Sequence, residues 1–203
     1  MKTLIAIPCM DMLQMRFVQS LIAMQTGHDT IDVTFSCGSL VYDSRNTLAR
    51  KAIEGEFDRV LWLDSDMTFP PDLYAKLSAH LDNGLDFVTG LYYKRKQPVQ
   101  PTVFSCIYVE DMIPRADVFT EIPGGLFEVA ACGFGAVMMR AEVLKKVAAK
   151  FGLPFSPVLG FGEDISFCMR ATETGFKMYC DPTIQLGHIG YKEFTAEDYG
   201  GTT

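Results

Sequence analysis

Two acidic residues, Asp64 and Asp66, stand two positions apart at the end of an apolar run, Val60-Leu61-Trp62-Leu63. In an open parallel sheet, ligands collect at the carboxyl ends of the strands, so these acids fall where a site is expected. Two carboxylates held close repel each other unless a cation lies between them, and hard divalent cations take oxygen ligands. The pair therefore suits a metal that grips a diphosphate; its other reading is a turn or the cap of the next helix. A second acidic group, Glu163-Asp164, follows Gly160-Phe161-Gly162 and opens an amphipathic segment. Glycines let the backbone approach a ligand, and a helix start favours carboxylate charge. Taken alone, this group reads as a helix start or as a catalytic base. The third feature is His188, flanked by Gly187 and Gly190 and one of three histidines. Its imidazole can complete a metal site begun by carboxylates, or serve the structure only.

These residues need a frame that holds them. Apolar runs of strand length alternate with helix-period segments through the first half, an order that implies a mostly parallel sheet with crossover helices. The expected strands are Thr3 to Pro8, Ile31 to Ser36, Arg59 to Leu63 and Phe87 to Leu91, with helices over Asp11 to Met24, Ser44 to Glu54 and Pro71 to Leu81. The second helix places Leu48, Ala49, Ala52 and Ile53 on one face, with Asp43 or Ser44 as its cap. Beyond Leu91, Lys94, Arg95, Lys96, Pro98 and Pro101 mark a loop, and the chain through Gly124-Gly125 reads as irregular or shortly stranded. A helical stripe returns over Ala141 to Phe151. A last helix spans Asp164 to Thr174, with Ile165, Cys168, Met169 and Thr172 inward, before a strand at Lys177 to Cys180.

At 203 residues the chain suits one α/β domain, which hides roughly 70% of the surface its unfolded form exposes. Its net charge of -7 argues against a broad nucleic-acid footprint, which needs a basic face. No run is long and apolar enough to span a bilayer, and Met1 to Pro8 reads as a buried strand, not a signal peptide. Six cysteines without a CxxC pair read as reduced, buried thiols and point to a cytoplasmic protein.

The ordered series Ser44-Arg45-Asn46-Thr47-Leu48-Ala49, Leu61-Trp62-Leu63-Asp64-Ser65-Asp66, Ala130 to Arg140, Gly162-Glu163-Asp164-Ile165-Ser166-Phe167, Pro182 and His188 resembles family 2 GT-A glycosyltransferases. The resemblance runs from Met1 to about Gly190, which would form one GT-A (Rossmann-like) domain. Residues 1–91 would be its nucleotide-binding half, 92–190 its acceptor and catalytic half, and 191–203 a tail that acts as a lid or simply frays. It implies that Asp66 binds Mn²⁺ or Mg²⁺, that Asp64 faces the ribose or the metal, and that His188 is the third metal ligand. Asp164 would be the general base and Glu163 would position the acceptor, while Pro8, Asp43 and Arg45 would line the nucleotide pocket. The implied reaction moves a sugar from a nucleotide-diphosphate sugar, a UDP-sugar first, to an acceptor hydroxyl, with inversion at the anomeric carbon. The chain lacks the membrane helices or extra domain with which many such enzymes hold acceptors, so the acceptor stays open: a surface glycan or, second, a modified DNA base. Tyr92-Tyr93 beside Lys94-Arg95-Lys96 would stack on a sugar or base and meet phosphate, or form a solvated loop.

Three other readings compete. Asp64-Ser65-Asp66-Met67-Thr68 fits the DxDxT of haloacid-dehalogenase phosphatases, whose first aspartate is phosphorylated, although such enzymes carry it on the first strand. A nucleotidyltransferase also uses paired acids, but Pro8-Cys9-Met10-Asp11 is no phosphate cradle. A sugar-nucleotide-binding module without turnover is the third.

Overall fold

The computed structural model describes residues 1–190, 193–196 and 199. Through the first half run β1 (Lys2–Cys9), α1 (Met15–Ala23), β2 (Thr30–Cys37), α2 (Val41–Glu54), β3 (Arg59–Leu63), β4 (Met67–Thr68), α3 (Leu73–Asp82) and β5 (Phe87–Leu91). The second half adds β6 (Val103–Glu110), β7 (Ile113–Val118), β8 (Phe127–Val129), β9 (Ala131–Cys132), β10 (Ala136–Arg140), α4 (Ala141–Phe151) and α5 (Glu163–Glu173). It ends in β11 (Met178–Gln185), β12 (Gly187–Ile189) and β13 (Glu193–Phe194). No helix among the described residues is long and apolar enough to cross a membrane. The lid role read for the tail falls mostly on residues outside those described.

The central sheet has the order β2-β1-β3-β10-β5-β11-β8. Strand β1 is parallel to β2 and β3, and β5 is parallel to β11, whereas β10 runs antiparallel between β3 and β5. The β-α order of the first half alone leaves β3 and β5 as neighbours; the run Ala136-Val137-Met138-Met139, buried on both faces, takes the place between them. Strands from both halves of the chain thus share one sheet. Because side chains alternate across a strand, each strand feeds two cores. Leu4, Ala6, Val60, Trp62, Val137 and Met139 pack under α2, α4 and α5, while Ile5, Ile7, Leu61, Leu63, Ala136 and Met138 pack under α1 and α3. The result is a mixed α/β fold with a mostly parallel central sheet and helices on both faces.

Several element edges differ from the sequence reading. Helix α1 starts at Met15, not Asp11, and α2 starts at Val41 with Leu40 as its cap residue, so neither Asp43 nor Ser44 caps it. On α5 the inward residues are Phe167, Cys168 and Ala171, and Thr172 is exposed. The stretch read as irregular or shortly stranded is stranded: it forms the β6–β7 hairpin, which pairs β6 with β9 in a second sheet. Its two-residue turn, Asp111-Met112, has both φ angles positive, at 49° and 62°. That conformation belongs to the type I′ turn that best matches strand twist.

Burial of Tyr92, which stands at the end of β5 and is 5% exposed, depends on two glycines. A Cβ at Gly133 would lie 2.1 Å from the Tyr92 hydroxyl, and one at Gly135 would lie 2.7 Å from Cζ of the same ring. The Gly135 N–H donates to that hydroxyl at 3.1 Å. Overpacking at such a contact costs about 1–3 kcal/mol. Gly133→Ala is therefore expected to destabilise the fold by about that amount, and Tyr92→Phe, which removes the clashing oxygen, to abolish most of the penalty. Denaturant unfolding of the four proteins in the double-mutant cycle measures this coupling; additive effects would contradict it.

Candidate functional site

A cleft of about 380 Å³ opens at the carboxyl ends of β1 and β3. Its wall includes Pro8 and Cys9 from β1, Gly38 and Ser39 from the segment after β2, and Val41, Ser44 and Arg45 from the first turns of α2. Asp64, Ser65 and Asp66 from the turn after β3, together with Glu163 from α5, complete the acidic side. Positions 41, 44 and 45 share one face of a helix that starts at Val41. Asp43 projects from the neighbouring face; it is exposed and does not line this cleft, whose wall at this point is Ser44 and Val41.

Arg45 is a buried charge held from several sides. It is 2% exposed, yet Nη2 donates to Asp64 Oδ1 at 2.7 Å and Nε donates to Glu163 Oε1 at 3.2 Å. Its guanidinium carbon lies 5.8, 5.1 and 5.9 Å from the ring centres of Trp62, Phe134 and Phe155, within cation–π range. Burial opposes the charge, but Asp64, Glu163 and Asp164 together hold the group protonated. Its remaining nitrogen, Nη1, has no protein hydrogen-bond partner. A buried donor at the wall of a cleft fits a polar ligand.

The turn after β3 is closed by the Met67 N–H donating to the Asp64 carbonyl. Asp64 is pushed up from its ordinary 3.8 to about 6: burial raises it, Arg45 lowers it, and the nearby Asp66 raises it again. Asp66 has the opposite balance. Burial would raise its carboxyl, but the hydrogen bond and charge of His188, with Arg95, hold it below the ordinary carboxylate range.

His188 reaches Asp66 by backbone pairing across most of the chain. Strand β12 runs antiparallel to β4 with His188 opposite Met67, and the Ile189 N–H donates to the Asp66 carbonyl at 2.7 Å. The imidazole then lies with Nε2 3.4 Å from Asp66 Oδ2. Its Nδ1 is 2.9 Å from the Tyr93 carbonyl, which can only accept, so Nδ1 carries a proton and Nε2 faces the carboxylate. The Tyr92 ring meets the imidazole edge-on at 5.4 Å. Arg95 Nη1 approaches the same Asp66 oxygen at 2.9 Å and donates to the Ile189 carbonyl at 2.6 Å.

Of the residues expected at one metal, the structure brings Asp66 and His188 together and leaves Asp64 paired with Arg45. Among the described residues, no group of three potential ligands closes on a single point. The Glu163-Asp164 pair opens α5 behind Gly162, as expected of a helix start. Glu163 lines the cleft; Asp164 does not. The Asp164 carboxyl accepts the Ile165 N–H at 2.7 Å and is raised by burial and by Glu163, and its charge is felt at Arg45, Tyr92 and Lys94. The stacking role read for Tyr92 and Tyr93 is not available, because both rings are buried, and Tyr93 packs on Tyr199 with ring centres 5.1 Å apart. In the basic cluster, Arg95 turns onto Asp66 and Lys94 lies over the Phe104 ring, while Lys96 is exposed. The aromatic cage of Arg45 and the contact between Arg95 and Asp66 leave little mark in the sequence beyond the apolar neighbours of Asp64 and the charge of Lys94-Arg95-Lys96.

The raised Asp64 carboxyl sets a pH dependence. Its native value of about 6 lies above the ordinary 3.8, so ionising it in the fold costs stability as pH rises between those values, approaching about 3 kcal/mol above pH 6. Asp64→Asn lacks this titration. In chelator, the stability of Asp64→Asn relative to wild type should climb from pH 4 to pH 6 and then level off; a difference flat across that window in urea titrations would contradict the assignment.

The overall fold is similar to that in the crystal structure of A197 from STIV, with a TM-score of 0.69 and 21% sequence identity, over 94% of this chain and 86% of that one. At that identity the likeness concerns the fold. The sequence matches no protein-family model and no curated protein.

Proposed function

We propose that this chain is a GT-A type glycosyltransferase of the family 2 kind, moving a sugar from a nucleotide-diphosphate sugar to an acceptor hydroxyl. The observation that carries the reading is the meeting of His188 with Asp66 at the edge of a cleft walled by Pro8, Arg45, Asp64 and Glu163. An imidazole whose Nδ1–H is fixed by a carbonyl presents Nε2 to its neighbour, the second-contact arrangement common among metal-binding histidines. One carboxylate and one imidazole fit a small divalent cation that takes its other ligands from phosphate oxygens and water. Asp66 and His188 would hold Mn²⁺ or Mg²⁺, with Asp64 beside them. Bound there, the ion would act as a Lewis acid toward the charge that develops on a diphosphate leaving group.

The remaining roles belong to the chain's own side chains. Arg45 lines the cleft, and its buried Nη1, which has no protein partner, would receive an oxygen of the nucleotide once a small shift of the wall uncovers it. Pro8, Ser44 and Val41 shape the wall against which a base or ribose would rest. Asp164 is raised above ordinary carboxylates, which brings it nearer the strength a general base needs near neutral pH. Because Asp164 stands behind Glu163 and outside the cleft lining, it would take the acceptor proton through a water or after a side-chain rotation; attack opposite the leaving group would then invert the anomeric centre. The donor expected first is a UDP-sugar; a glycan hydroxyl is the acceptor the acidic chain favours over DNA.

With Mn²⁺ present, the purified protein should hydrolyse at least one UDP-, GDP- or dTDP-sugar slowly, and chelation or Asp66→Ala should remove that activity. His188→Ala, which removes a direct ligand, should lower it by at least the roughly 10- to 100-fold typical of losing a ligand's hydrogen-bonded support. A phosphorylated Asp64 and release of phosphate from simple monoesters would instead establish the phosphatase reading. Arg95 competes for Asp66, so Arg95→Ala should bind Mn²⁺ more tightly in the nucleotide-free protein, by up to about fivefold, since an exposed pair is worth about 1 kcal/mol or less. Calorimetric titration checks this; weaker binding would show that Arg95 supports the ion instead of excluding it.

A further inference from the structure

Two cysteines 28 positions apart in the chain meet at the rim of the cleft. Strands β1 and β2 pair in parallel with Cys9 opposite Cys37, the last pair of the register, and their Sγ atoms lie 3.2 Å apart. Cys9 is 8% exposed and lines the cleft, whereas Cys37 is exposed to solvent. Paired residues of parallel neighbours point to the same face, and a strand spacing near 4.8 Å lies within the Cα separation that disulfides span, about 4.4–6.8 Å. No sequence spacing announces such a pair. It arises only because β1 and β2 are adjacent and in this register.

We propose that Cys9 and Cys37 form a dithiol site that is oxidised reversibly to an interstrand disulfide by low-molecular-weight disulfides. Cys37, the accessible thiol, attacks a sulfur of glutathione disulfide as its thiolate and expels one glutathione thiolate. Cys9 then loses its proton to solvent and attacks Cys37 Sγ, and the second glutathione leaves. Two protein thiols are oxidised, one glutathione disulfide is reduced to two glutathiones, and no other reactant is needed. Burial, with the hydrogen bond and charge of Cys37, pushes the Cys9 thiol up to about 11. In the mixed disulfide Cys37 carries no charge, so its repulsion of a Cys9 thiolate is gone while burial still opposes ionisation. Closing the bond requires the sulfurs to approach by only about 1 Å. It ties together the strand ends that lead into Met10 and into Gly38-Ser39, all on the cleft wall. The proposal does not depend on which ligand the cleft takes.

The test uses the full chain, reduced, freed of reductant and incubated with glutathione disulfide. Intact mass should fall by about 2 Da as two thiol hydrogens are lost, a digest should contain one peptide joining Cys9 to Cys37, and dithiothreitol should reverse both changes. Cys37→Ser, at an exposed position, should show neither change. A glutathione adduct that persists on Cys37, a bond between other cysteines, or an unchanged mass at a redox poise that oxidises ordinary dithiols would each overturn the proposal.

Discussion

A guanidinium with almost no access to water cannot remain charged unless carboxylates and polarizable faces replace its hydration, and Arg45 obtains both from four different parts of the chain. Trp62 and Asp64 come from β3 and its turn, Phe134 from the strand-leading segment before β10, Phe155 from the segment after α4, and Glu163 from α5. Breaking such a buried pair from one side typically costs 3–5 kcal/mol, because the partner is left uncompensated. The two acidic features of the cleft are therefore joined through one cation. Their separation is set by the fork of a single side chain rather than by two independent loops.

The same arrangement divides the work of the two aspartates. Asp64 faces the buried guanidinium and is raised, while Asp66, one residue beyond Ser65, faces His188 and Arg95 and is lowered. Neighbouring carboxylates with opposite displacements are a usual feature of functional sites, since each environment suits a different protonation state. Backbone pairing enforces the second environment. Strand β12 is held to β4 immediately after the acidic turn, which fixes the His188 backbone beside Asp66, and the Tyr93 carbonyl on Nδ1 orients the ring toward it.

Much of this was legible in the sequence because it rests on local pattern. The apolar run ending in Asp64 and Asp66 had to be a strand reaching a sheet edge, and Gly162-Glu163-Asp164 had to open a helix. Leu48, Ala49 and Ala52 also had to face inward. What stayed hidden depends on strand order and on residues that break usual preferences. An apolar run such as Ala136 to Met139 carries no mark of the strands it will lie between. Short strands are one reading of the stretch after Leu91, but their pairing as the β6–β7 hairpin stays hidden because its turn uses Asp111-Met112 where Asn-Gly would announce it. Tyr92 and Tyr93 looked like a surface platform, but Gly133 and Gly135, by lacking side chains, make the space that buries Tyr92. Arg45 reads as an ordinary polar helix position until the three aromatic rings are placed around it.

The account rests on Asp66 and His188 gripping one divalent cation beside a diphosphate. Electron paramagnetic resonance of Mn²⁺ bound to the protein with UDP tests this directly, using protein with natural-abundance and ¹⁵N-labelled histidine. Coupling to an imidazole nitrogen that changes with the label and vanishes in His188→Ala is the predicted result. A bound Mn²⁺ with no histidine nitrogen in its coordination, or one unaffected by His188→Ala, would contradict the account.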